Sequence, residues 1–279
     1  MASVKNTGSK PLAGIIVTGF DDNGKRFSLA LPPAEPGAAA NNSLIIPLGV
    51  SNLALDGSGK NHHVTIHGSP SWVDGKFGKG LDFYDRQTSQ YLDVPYTSLD
   101  GLSDFTIVFW ACGGGGGEYL ISGSDGRNHN YMLMRGPTAS GWHFYVWRRD
   151  GGYGAHIYED LVQADFLIYS NPGDPIDLAP GGFIIAQEQD RVGGGFDPGQ
   201  AFSGKLDEIY IYSEALSDEE MKMLFNGIIV TKSLTLFLPL DEGSNSPFSF
   251  TSGASYPITV TAYSLDGDVY TKTISAVCS

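Results

Sequence analysis

The residues best suited to chemistry lie between Ile185 and Tyr212. Glu188, Asp190, Asp197 and Gln200 are oxygen donors within a single acidic, amide-rich stretch. Gly193, Gly194 and Gly195 stand between them and let the backbone fold back, so the four side chains can converge on one point. Hard cations such as Ca²⁺ take about six to eight oxygens from carboxylates, side-chain amides and main-chain carbonyls. Taken alone, these residues favour a plainer reading, a solvated acidic loop. Phe183-Ile184-Ile185 leads into the stretch and the alternating run Leu206 to Tyr212 leads out of it. The donors therefore sit on a loop between two strands.

Other chemistry finds less support. A glycosidase on a β-strand needs paired carboxylates projecting on one face. Glu188 and Asp190 have that spacing, but Val192 stands where a third acid would come, and Asp207-Glu208 lacks the spacing. There is no Gly-x-Ser-x-Gly elbow. The five glycines from Gly113 to Gly117 are followed by Glu118-Tyr119, without the Lys-Ser/Thr of a phosphate-cradling loop. His63 and His67 share a strand face, but at about 3.3 Å per residue they stand roughly 13 Å apart, too far to share one zinc. The sequence reads as non-enzymatic.

Composition sets outer bounds. The chain has 279 residues with a formal net charge of −14, which argues against a nucleic-acid surface. Charged residues are 17% against 37 glycines, a mix that suits many short strands and turns. No apolar run is long enough to span a membrane, and Met1 to Lys10 shows no apolar leader segment. The two cysteines, Cys112 and Cys278, exclude a disulfide framework and leave open whether they pair.

The first 43 residues read as a β segment. Leu12 to Phe20 and Arg26 to Leu31 are strands around the turn Asp21-Asp22-Asn23-Gly24. Pro32 to Asn42 reads as a linker. In Phe105 to Trp110, alternation puts Phe105, Ile107 and Phe109 on one face and Thr106, Val108 and Trp110 on the other. Tyr119 to Ser122, Tyr131 to Met134, Trp142 to Trp147 and Phe166 to Tyr169 read as further strands. Ser217 and Glu220 form a capping box that opens a short helix, which Gly227 ends. Leu216, Met221, Leu224 and Phe225 would dock it. Leu234 to Leu240 alternates, and Tyr256 to Tyr263 with Val269 to Ile274 forms a hairpin around Leu265-Asp266-Gly267-Asp268.

Gln187-Glu188-Gln189-Asp190, Gly193-Gly194, Phe196-Asp197, Gln200, Phe202 and Gly204 together resemble the calcium loop of the pentraxins. Three further runs resemble bacterial laminin-G-like jelly-roll domains: Leu55 to His63, Trp72 to Phe83 and Asp104 to Trp110. The resemblance covers about residues 44–227. It implies an all-β fold, an antiparallel jelly-roll β-sandwich; the strands at the two chain ends, too few to bury a core alone, are expected to pair into a small additional β domain. On this division 1–43 is an N-terminal β segment, 44–227 the sandwich, and 228–279 a C-terminal β segment pairing with 1–43 as an immunoglobulin-like unit. It further implies Ca²⁺ held by the side chains of Glu188, Asp190, Asp197 and Gln200 and by the carbonyl of Gln189. Asp197 replaces the family's more frequent Glu.

Pentraxins add an Asp-Asn pair from an earlier loop. A count from the following strand puts Asn128-His129 there, so a carboxylate is lost and Asp125 or Asn130 would have to stand in. The family's buried disulfide maps to Tyr145 and Val108 and is therefore missing. In laminin-G-like modules, acids at the positions of Asp56 and Asp207 hold a structural calcium; otherwise Asp207 is a turn-facing or hydrogen-bonded carboxylate.

Two functional readings fit these residues. One is a Ca²⁺-assisted module that binds a glycan or phosphorylated surface ligand without catalysis, displayed on a larger assembly. The other is a structural protein of a virion, a decoration, capsid or fibre subunit, whose ion site is vestigial. Either reading expects a homo-oligomer, an extracellular or virion-surface place, no nucleic acid and no membrane insertion.

Overall fold

The computed structural model of the protein describes all residues except 115–117, 128–129, 137–139, 151–154, 165–167, 170–174 and 278–279. Two antiparallel sheets face each other. The larger one runs Val162–Ala164, Ala155–Glu159, Trp142–Arg149, Phe105–Cys112, Gly204–Tyr212, Lys79–Phe83 and Ser71–Asp74, with Leu234–Leu238 also against Gly204–Tyr212. The second runs Ile168–Tyr169, Asn130–Arg135, Tyr119–Ser124, Phe183–Ile185, Tyr91–Asp93, Val64–His67 and Leu53–Ala54. The expected strand over Phe166 and Leu167 begins outside the described residues.

Phe105–Cys112 shows why the larger sheet forms. Phe105, Ile107 and Phe109 enter the core between the sheets with Leu120, Ile121, Tyr145, Trp147 and Ile185. Val108 and Trp110 pack on the opposite face with Phe144, Val146, Tyr210 and Tyr212. A strand buried on both faces must be apolar throughout, and this one is. Its register places Tyr145 opposite Phe109 and Val108 opposite Val146. That is one position away from the pairing of Tyr145 with Val108 drawn from the resemblance. The observed register stacks the Phe109 and Tyr145 rings at 5.5 Å.

The residue types of Gly204–Tyr212 suggest strict alternation, but the strand departs from it. Leu206 and Ile209, three apart, both reach the core between the sheets. A bulge makes this possible: the pairing with Phe105–Cys112 shifts between Val108 and Trp110, and Glu208 takes a φ of 51°. One extra residue reverses the facing of every later residue in the strand. The helix Asp218–Phe225 starts at Ser217, with both halves of the capping box formed. Met221 and Leu224 are buried against the outer face of the larger sheet, and Phe225 stacks on Trp110.

The chain ends build a third sheet: Val269–Val277, Ser255–Ser264, Leu12–Phe20 and Arg26–Leu31. The segment after the helix thus divides, since Leu234–Leu238 stays in the larger sheet. The stretch read as a linker from Pro32 to Asn42 ends in a strand, Ala39–Asn42, paired with Ala2–Lys5. Alanine and asparagine carry little strand preference. Tertiary contact decides here, because Ala40 is buried with Leu12, Ile15 and Leu31. The terminal sheet lies close on the sandwich at Gly14, where a Cβ would stand 2.3 Å from the carbonyl oxygen of Ile229.

Buried ions secure this joint. Arg26 of the terminal sheet pairs with buried Asp241, whose other oxygen accepts from Lys79 N at 2.7 Å. Lys25, also buried, donates to the Ser246 carbonyl and lies 4.3 Å from the Phe248 ring centre; burial holds its pKa below the usual lysine range. Glu242 accepts from Leu55 N at 2.7 Å, while its Oε2 is buried without a hydrogen-bond partner. Burial pushes Glu242 up to about 7.

A proton held on Glu242 in the fold is lost from the unfolded chain at an ordinary carboxylate pKa. The folded pKa is the higher one, so stability is complete below about pH 4.5 and declines as pH rises through about 7. The decline from this group amounts to about 3 kcal/mol. Glu242→Gln keeps the acceptor for Leu55 and removes the titration. Its melting temperature should match wild type at about pH 4 and exceed it at about pH 8. Thermal scans at the two values check this.

Candidate functional site

The acidic loop leaves Phe183–Ile185 at Ala186, whose φ is 75°. Ala186 is held at both backbone groups: its N donates to Leu120 O at 2.7 Å, and its O accepts from Phe202 N at 3.2 Å. The two ends of the loop therefore meet at one residue. Gln187, Glu188 and Gln189 are buried, whereas Asp190 and Asp197 are exposed.

Gln189 anchors the loop from inside. Its Nε2 donates to Ser122 O, Ser122 Oγ and Gly182 O at 3.0–3.1 Å, and its Oε1 accepts from Gly193 N at 2.9 Å. With the amide spent, the main-chain carbonyl is what Gln189 retains to offer an ion. Gln187 ties down the other side, donating to the carbonyls of Gln87 and Gln90. Beyond them the chain reverses through a bridge between Arg191 and Gly194. Gly195, at φ 77°, folds the loop onto Asp190; a Cβ there would stand 2.8 Å from Asp190 Cβ.

Asp197 caps the last turn. Its Oδ1 accepts from Gly199 N at 2.8 Å, and its carbonyl accepts from Gln200 N and Ala201 N. Gln200 is half-buried, with its carbonyl held by Tyr119 N at 2.8 Å. The adjoining wall is Tyr119–Ser124, where buried Glu118 pairs with Arg86 at 2.5 Å and accepts from Ser203 N. Asp125 comes next, its Oδ1 accepting from Arg127 N at 2.9 Å. Asn128 lies outside the described residues.

The donor set fits calcium in kind: carboxylate, amide and carbonyl oxygens, with neither imidazole nor thiolate. In placement it supplies no ready cage, because among the described residues no three His, Cys, Asp or Glu side chains stand close enough to hold a metal ion. The histidines go to separate partners. His63 Nδ1 accepts from Asp56 N, His62 Nδ1 meets Thr235 O, and His67 stacks on Tyr91.

Asp56 and Asp207 are used at different places. Asp56 is fully buried and accepts four bonds, from Ser58 N, Ser58 Oγ, His62 N and Phe237 N, at 2.8–3.0 Å. Two carboxylate oxygens offer about four acceptor sites, so the fold already uses them all. Asp207 accepts from Phe77 N at 2.9 Å, in the turn between Ser71–Asp74 and Lys79–Phe83. Its Oδ1 is buried without a hydrogen-bond partner. Burial first, then Glu208 and Asp241 nearby, push Asp207 up to about 9. Burial pushes neighbouring Glu208 up to about 8, partly offset by the hydrogen bond from the Tyr210 hydroxyl. Sequence reasoning missed this grouping of Asp207, Glu208, Asp241 and Glu242. The only available signal was the repeated Asp-Glu dipeptide in two otherwise apolar runs.

The model of the Pentaxin family matches residues 174–235, which include the whole acidic loop and the strand after it. Serum amyloid P-component of Bos taurus is 41% identical over 44 residues, 16% of this chain and 20% of that protein. Human pentraxin-4 is 34% identical over 90 residues, 31% of this chain and 18% of its own length. The chain thus spans about a fifth of these relatives. Among solved structures, the heptameric SAP-like pentraxin from Limulus polyphemus aligns at 14% identity and a TM-score of 0.38, covering 64% of this chain and 85% of that one. A putative carbohydrate binding protein from Bacteroides ovatus aligns at 11% and 0.37, covering 99% and 90%. The chain carries a pentraxin-like segment on an antiparallel β-sandwich.

Removing the Gln189 amide strands the Ser122 and Gly182 carbonyls inside the fold. Gln189→Ala should cost about 2–4 kcal/mol in urea unfolding. It should also open the 186–202 loop to protease before the sandwich unfolds.

Proposed function

We propose that the protein is a non-catalytic, calcium-assisted binding module for a glycan or phosphorylated surface ligand, carried on a larger assembly. The observation behind this reading is the loop geometry. A fully buried Gln189 fixes a turn whose acids Asp190 and Asp197 face solvent. Acids held outward on a pinned turn contribute little to the core and remain open to a partner. They suit a cation.

Glu188, Asp190, Asp197, Gln200 and the Gln189 carbonyl would hold the ion, with Asn128 as a further donor. When bound, calcium would offer open coordination positions to vicinal hydroxyls or phosphate oxygens. The chain's own part is to present these oxygens and keep their backbone from rearranging. The family-model match over this same stretch of chain supports the ion assignment.

A separate sheet built from Leu12–Phe20, Arg26–Leu31, Ser255–Ser264 and Val269–Val277 supports display. On this reading the ends form one immunoglobulin-like unit that ties the binding domain to neighbouring subunits at a cell or virion surface. A structural role, in a decoration or fibre protein with a vestigial ion site, is favoured by one feature: the terminal sheet ends in a long exposed strand, Val269–Val277.

Calcium that binds the native state alone stabilises it by mass action, by about 2.7 kcal/mol at a hundredfold excess over Kd. Wild type should therefore melt higher in millimolar Ca²⁺ than in chelator. Asp190→Asn and Glu188→Gln should lose the difference. A glycan array probed with and without Ca²⁺ should show retention that the same variants abolish. Melting curves indifferent to calcium would overturn the ion assignment. Retention indifferent to calcium would leave binding but remove its mechanism.

A further inference from the structure

The terminal sheet has two edges of different kinds. At one edge Arg26–Leu31 is covered: Ala30 N donates to Gly57 O at 2.6 Å, and Asn42 Nδ2 donates to Ala30 O at 2.7 Å. At the other stands Val269–Val277, nine residues long and exposed at every position. Among the described residues, the outer strands of the two facing sheets are Val162–Ala164, Ser71–Asp74, Ile168–Tyr169 and Leu53–Ala54, none longer than four residues. Short outer strands, prolines and inward charges are how folds avoid edge-to-edge pairing. Of the devices that blunt an edge, Val269–Val277 carries only a single charge, Lys272; it is long and holds no proline. Val269, Tyr270, Ile274 and Val277, all on this strand, are about half exposed or more, as is Leu265 in the turn before it.

We infer that Val269–Val277 is a docking edge for a second copy of this chain, paired antiparallel about Thr273. The hairpin sets which residues face outward. Ser264 N donates to Asp268 O at 2.9 Å, which closes the first hydrogen-bonded pair. Bonded pairs then recur at every second residue. Tyr270, Lys272, Ile274 and Ala276 therefore direct their backbone groups to Ala262, Val260, Ile258 and Tyr256. Val269, Thr271, Thr273, Ser275 and Val277 direct theirs outward. A two-fold axis at Thr273 sets Val269 against Val277 of the second copy and Thr271 against its Ser275. All five outward residues then pair with outward residues. A register shifted by one would pair them with inward ones.

Charge selects this edge. The chain carries a formal net charge of −14, so most approaches of two copies bring acid to acid. Here the strand holds one charge, Lys272, and the register sets it against Ile274 rather than the other Lys272. The acids of the adjoining turn, Asp266 and Asp268, are already paired with Lys10 at 3.0 and 2.8 Å. The inference deepens the assembly part of the reading above. It does not involve the ion loop, so loss of ligand binding leaves it standing.

Sedimentation equilibrium of the full chain is the test. Wild type should shift from monomer to dimer with rising concentration, with or without calcium. Thr273→Pro removes the central outward N–H and should give a monomer. Should that proline disrupt the hairpin, a charge pair decides. Thr271→Lys with Ser275→Lys sets lysines opposite each other twice and should weaken the dimer about tenfold. Thr271→Lys with Ser275→Glu should restore it. In a Cys112→Ala, Cys278→Ser background, Thr273→Cys should cross-link to itself under mild oxidant and Lys272→Cys should not. A monomer at all concentrations would overturn the inference. So would a dimer that none of these variants weakens, or a strand captured only by a different protein.

Discussion

The side-chain amide of Gln189 is the interaction on which the rest of the site depends. An acidic turn left to itself would spread its carboxylates and fluctuate. Here the turn is tied to the sandwich by one amide with three acceptors and one donor, on a residue with no solvent exposure. Buried polar groups are costly unless fully bonded, and for that reason a satisfied one fixes geometry firmly. The anchoring partners belong to Tyr119–Ser124 and to the segment before Phe183–Ile185. These elements exist because Leu120, Ile121 and Ile185 fill the core. Core packing thus positions the amide, and the amide positions the acids.

The same molecule handles its other acids in the opposite way. Asp207, Glu208, Asp241 and Glu242 are drawn inward where the terminal sheet meets the sandwich, and burial raises their pKa values. Arg26 and Lys25 offset only part of that cost. The bulge at Glu208 serves the joint: it turns Leu206 and Ile209 toward the same core and brings Glu208 to the Tyr210 hydroxyl. The acidic loop, by contrast, keeps Asp190 and Asp197 exposed. Burial separates an acid set that secures the fold from one available to a ligand.

Much of the fold was legible in the sequence. Leu12–Phe20 and Arg26–Leu31 have the bounds their β-branched and alternating residues imply, and Gly24 supplies the positive φ of their turn. The capping box at Ser217 and Glu220 is read directly from residue types at fixed spacing. What local pattern could not show were features set by distant partners. Ala39–Asn42 became a strand because Ala2–Lys5 lies beside it. Alternation could not place the Glu208 bulge, because only the register against Phe105–Cys112 shows which residue between Leu206 and Ile209 is the extra one. In the site, glycines and acids marked the loop. The inward direction of Gln187 and Gln189 was not marked, since amides read as polar surface unless their buried acceptors are known.

The most direct test of the account is hydrogen–deuterium exchange of the full chain with and without calcium. A pinned loop that presents oxygens to an ion should gain protection over residues 186–202 and the adjoining 118–125, with the terminal sheet unchanged. Exchange in 186–202 that does not respond to calcium would contradict it, as would protection gained elsewhere in the chain.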